Sequence, residues 1–251
     1  MPGSADDARA AERIVWLALF SWMAVVAGLG VATIAHRDEP ASRLQPSNAD
    51  NPVSDTAIGP AAGAEVEGYR TARRSVLATA SGDDRVAVVS FTSYRSEAAA
   101  RQVLSETANG AGLQVAALLV ATPGDGPALV TGSLADWATA ERSSLQQQHD
   151  DIAQILPTVG PDKAYADFYT AELDRLTKAL AGLDPAGDLV FGVVVRGPVE
   201  TLQALGDRAP VRLVDIGTSG TVSDDPLAYR GILPDDVTVV TKPQLRPLPP
   251  G

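Results

Sequence analysis

Residues 14–35, IVWLALFSWMAVVAGLGVATIA, form a run of 22 residues without a charge, bounded by Arg13 before it and by His36, Arg37, Asp38 and Glu39 after it. As a helix rising 1.5 Å per residue it is roughly 33 Å long, enough to cross a hydrocarbon core of about 30 Å. Leu, Ile, Val and Phe, at about −0.3 to −0.6 kcal/mol each, dominate the segment, and no polar stripe recurs at the helical period. A cleavable signal peptide has a shorter apolar core, and Thr33-Ile34-Ala35 is a poor cleavage site. A transmembrane signal anchor is therefore expected. Its lipid contacts would come from Trp16, Leu19, Phe20, Val25 and Leu29, with Trp16 near the inner interface.

Charge sets the expected orientation. Arg9 and Arg13 precede the run while Arg37 and Arg43 follow it, so the positive-inside bias nearly cancels. The formal charge of −11 lies entirely beyond residue 37, because residues 1–37 balance Arg9, Arg13 and Arg37 against Asp6, Asp7 and Glu12. An acidic domain after one N-terminal span fits a cytoplasmic N-terminus (residues 1–13), an anchor at 14–35 and an extracytoplasmic remainder at the plasma membrane. The same excess of acidic residues, 31 against 20 basic, argues against nucleic acid as a partner.

Residues 36–63 contain Pro40, Pro46, Pro52 and Pro60 among Asp, Ser and Asn, with no periodic apolar face, and read as a disordered linker. The exported domain is expected over 64–242 and a proline-rich tail over 243–251. Val66, Tyr69, Arg73, Val76 and Leu77 fall at helical spacing over 64–80, with Arg70, Arg73 and Arg74 on a polar face beside Glu65 and Glu67. A β-branched run at 85–91, a helix over 95–108 opened by Thr92-Ser93, and an apolar run at 113–121 make one β-α-β unit. A second follows at 189–196, 199–206 and 211–216. Between them, Leu134, Ala138, Leu145, Ile152 and Ile155, and then Tyr165, Phe168, Tyr169, Leu173, Leu176, Leu180 and Leu183, give two apolar stripes split by Pro157 and Pro161.

The expected fold is thus α+β: a ferredoxin-like sheet from two β-α-β units, with an antiparallel helical hairpin inserted over 133–183. A doubly wound parallel sheet is the alternative. The inward-facing strand residues are expected to be Val86, Val88, Val89, Phe91, Val115, Leu118, Val120, Val190, Val193, Val195, Leu213 and Val214.

The segments VAVVSFTSYRSEAAARQVL and VFGVVVRGPVETLQALGDRAPVRLVD resemble uncharacterised single-pass membrane proteins of actinobacteria that share an N-terminal anchor and an exported α/β domain. The resemblance implies a topology and a host type, and no activity.

Catalytic signals are thin. With no cysteine, disulfide frameworks, thiol chemistry and cysteine-ligated metals fall away. Gly217-Thr218-Ser219-Gly220-Thr221 misses the spacing of a nucleophile elbow. His149, Asp150 and Asp151 are consecutive on a helix, so their side chains diverge by about 100° per residue instead of converging on an ion. The pairs Asp83-Asp84, Asp224-Asp225 and Asp235-Asp236 read as turn residues. No catalytic residue, metal ligand or cofactor is expected. Phe168 is expected in the core with Tyr165 and Tyr169 at its rim, where they form a candidate partner surface. The leucine stripe permits coiled-coil pairing with a second copy. A protein-interaction role, with a membrane or envelope protein or by self-association, is the expected function. Binding or turnover of a small molecule or envelope polymer is the alternative.

Overall fold

The computed structural model describes residues 58–82, 84–107, 112–122, 126–160, 163–218, 222 and 228–241. All of these belong to the unit Pro52–Gly251. Trp16, Leu19, Phe20, Val25 and Leu29, and the tail at 243–251, lie outside the described residues. Among the described residues no helix is long and apolar enough to cross a membrane.

The domain is α+β, with five helices and a five-stranded antiparallel sheet. Its elements are α1 (Val66–Thr79), β1 (Arg85–Arg95), α2 (Glu97–Ser105), β2 (Gln114–Thr122), β3 (Gly126–Val130), α3 (Leu134–Ile155), α4 (Lys163–Gly182), β4 (Val190–Gly197), α5 (Val199–Gly206) and β5 (Val211–Ile216). The strand order is β3-β2-β4-β1-β5. Each β-α-β unit leaves a gap of one strand, and the other unit fills it: β4 lies between β1 and β2, and β1 lies between β4 and β5. Every neighbouring pair is antiparallel, which excludes the doubly wound parallel sheet.

Alternation along the strands assigns the two faces. Val89 and Phe91 of β1, Leu118 and Val120 of β2, Val193 and Val195 of β4, and Val214 of β5 share one core with α2, α5 and the hairpin of α3 and α4. Val86, Val88, Leu119 and Val194 point to the other face, against Ala228 and Tyr229. Of the expected inward-facing residues all are buried except Val115, which is only partly so. At about 1.5–3 kcal/mol for each buried large apolar side chain, these strands supply the main stabilising term.

Local signals account for most helix ends. Ser133 Oγ accepts from the Asp136 amide at 3.4 Å and caps α3. Arg142 Nη2 donates to the Leu183 carbonyl, which ties the first half of α3 to the end of α4 and makes the hairpin antiparallel. The cap of α2 is Ser96, whose Oγ accepts from Ala99 N at 3.2 Å, and not Thr92 or Ser93. Both of those residues stay in β1, where Thr92 N bonds to the Pro210 carbonyl and prolongs the strand.

Two features depart from expectation. β3 occupies residues to which the sequence pattern assigns no element, because Gly126 and Pro127 are turn residues in isolation and only pairing with β2 makes them a strand. The folded chain also begins before residue 64. Ile58 N donates to the Ala228 carbonyl at 2.7 Å, and Arg230 N donates to the Ile58 carbonyl at 2.8 Å.

Candidate partner surface

The hairpin buries Leu134, Ala138, Leu145, Ile152, Leu176, Ala179 and Leu183. Its anchoring is reinforced where Glu97 Oε2 at the start of α2 accepts the Leu134 amide at 3.2 Å. At the opposite end, the first turns of α4 carry Tyr165, Phe168 and Tyr169. Tyr169 stacks on Tyr165 with ring centroids 6.4 Å apart and meets the edge of Phe168 at 5.2 Å. Tyr169 packs on the core, whereas Phe168 is only half-buried. The expected arrangement is therefore altered: Phe168 is part of the surface cluster, because Tyr169 and Leu173 fill the inward stripe of α4 at the four-residue spacing. Three aromatic rings beside a helix–helix turn offer flat apolar area with two hydroxyls, suited to a protein surface.

Two buried carboxylates outside the hairpin, Asp215 and Asp236, have internal tasks. Asp215 on β5 is 1% exposed. It accepts from Tyr69 Oη and Arg73 Nε of α1, while Arg73 Nη2 donates to the Ile216 carbonyl. The nearby Gly59 backbone amide also favours the charged form of Asp215. Burial pushes the Asp215 carboxyl above its ordinary value against the pull of Arg73. Burial first, then the neighbouring Asp215 charge, push the Tyr69 phenol up. Arg73, read from the sequence as part of a solvated basic face, is thus directed inward. Arg70 does pair with Glu67, at 2.6 Å.

Asp236 is likewise buried, and it accepts the Leu233 amide at 3.0 Å and the Thr241 amide at 2.9 Å. Arg212 donates to the carbonyls of Leu233, Pro234 and Asp236. Asp235 accepts from Tyr94 Oη at 2.9 Å. Sequence reasoning did not find either carboxylate cluster, since residues 69, 73 and 215 carry no mutual spacing signal. His149 faces Asp150, with Nδ1 3.2 Å from Oδ1. No group of three or more His, Asp or Glu among the described residues could hold a metal ion. Ser219 lies outside the described residues.

An open groove of about 490 Å³ runs between α1, α5 and β5, lined by Arg74, Leu77, Gln203, Gly206, Asp207 and Leu213 among others. Gln203 Nε2 is already engaged there, donating to the Leu77 carbonyl at 2.8 Å.

No family model, curated protein or solved structure matches the chain. Its geometry alone therefore bears on function.

Proposed function

We propose that the chain is a plasma-membrane accessory protein: a signal anchor at 14–35 with a cytoplasmic N-terminus, holding a ferredoxin-like domain outside the bilayer to bind another membrane or envelope protein. The order β2-β4-β1-β5, with two interlocked β-α-β units, supports the ferredoxin-like assignment. β3 and the helical hairpin are additions to that scaffold. The observation that carries the binding role is the half-buried aromatic cluster of Tyr165, Phe168 and Tyr169 on the added hairpin. The partner is a second protein or a second copy, and the lipid bilayer is the partner of the anchor.

A photo-crosslinking residue in place of Phe168 in the full chain, irradiated in native membranes, tests this reading. A discrete crosslinked species, lost when Tyr165 is changed to Ala, is expected. Absence of any species from position 168, with a product from position 74 in the groove, would favour the small-molecule or polymer-binding alternative. The anchor is tested separately by Val25→Arg with Leu29→Arg. Loss of integral-membrane fractionation is expected, and its persistence would remove the anchor.

A further inference from the structure

The second face of the sheet is covered by two segments from opposite ends of the described chain, residues 58–65 and 228–241. Among the described residues these segments are zipped to each other by backbone bonds. Beside the two bonds at Ile58, Gly63 N donates to the Val240 carbonyl, Val240 N to the Ala64 carbonyl and Val66 N to the Thr238 carbonyl, each at 2.9 Å. Their hydrogen bonds to the sheet use side chains instead. Ile232 N donates to Ser90 Oγ at 2.9 Å, and Arg212 and Tyr94 hold the 233–236 turn. Close contact completes the joint: a Cβ on Gly59, whose φ is 122°, would lie 1.9 Å from the Arg230 carbonyl oxygen.

A pair of segments whose backbone bonds run to each other and, through Val66, to the start of α1, and that rests on a sheet whose own ladders are complete without it, has the organisation of a separate cooperative unit. We infer that residues 58–65 and 228–241 form one strap that opens as a unit while the five-stranded sheet stays folded. Opening uncovers Val86, Val88, Leu119, Phe191 and Val194. The inference stands whether or not residues 14–35 span a membrane.

Native-state hydrogen exchange on the full chain tests it with two variants acting on different halves. Ser90→Ala removes the acceptor of Ile232 N in the C-terminal half, and Gly59→Ala forces apart the contact with Arg230 in the N-terminal half. An unmade buried hydrogen bond speeds opening by roughly 10-fold or more. The expected result is that the amides of Ile58, Gly63, Arg230 and Val240 share one opening free energy lower than that of Val88 and Val194, and that either variant accelerates all four by a common factor. Acceleration confined to the altered half would overturn the inference by showing two independent segments. A single opening free energy shared by the four strap amides and by Val88 and Val194 would overturn it by merging strap and sheet into one unit, as would unchanged exchange in both variants.

Discussion

Replacing Arg73 by Ala separates a buried ion pair from the surface pairs elsewhere on the domain. Its side chain is 13% exposed and that of Asp215 only 2%, so the substitution leaves a carboxylate with little access to water. Breaking a buried pair from one side costs about 3–5 kcal/mol, against about 0–1 kcal/mol for an exposed pair. Tyr69 still donates to Asp215, which places the expected loss near the lower figure, about 3 kcal/mol. With a urea slope of about 2 kcal/mol per molar, the unfolding midpoint should fall by roughly 1.5 M. The penalty should also shrink as pH is lowered through the folded-state pKa of Asp215, because a neutral carboxyl needs no counter-charge. A double cycle with Asp215→Asn isolates the coupling. A loss below about 1 kcal/mol, or a penalty independent of pH, would refute the picture of a desolvated pair holding α1 to β5.

Leu145→Ala, at a fully buried site in the hairpin, should cost about 2–5 kcal/mol, read from the urea midpoint. Phe168→Ala on the half-buried cluster should cost much less, and equal destabilisation would return Phe168 to the core. Because Tyr69 is raised above its ordinary 10.0, its stabilising contribution is complete below that pH and fades as pH rises through the folded value. Tyr69→Phe should therefore flatten the alkaline decline in stability, and an unchanged slope would locate the decline in other groups. Ser133→Ala should lower stability by about 1 kcal/mol through loss of the α3 cap.

Much of the domain was legible because period and punctuation are local. Val86, Val88 and Val89, or Val193 and Val195, identify strands without knowledge of their partners. The leucines of α3 and α4 identify a hairpin by spacing, and Ser133 marks its start. β3 was not legible, since Gly126 and Pro127 carry turn chemistry and only β2 supplies the pairing. The inward turn of Arg73 was equally hidden: an arginine on a polar helix face reads as solvated until an acid far along the chain is brought beside it. Phe168 was misplaced because hydrophobicity alone cannot say which of two adjacent aromatic residues faces the core.

The sequence by itself determined the elements other than β3, the α+β class and the uncharged run at 14–35, because each is carried by a local pattern of residue types. Only the tertiary structure decided the strand order, the Asp215 and Asp236 clusters and the joining of the two strap segments across the second face. Those depend on contacts that no local period records, several of them between residues far apart in the chain, such as Tyr69 with Asp215. Such contacts form where burial makes a specific partner necessary, and no local pattern records which partner that will be.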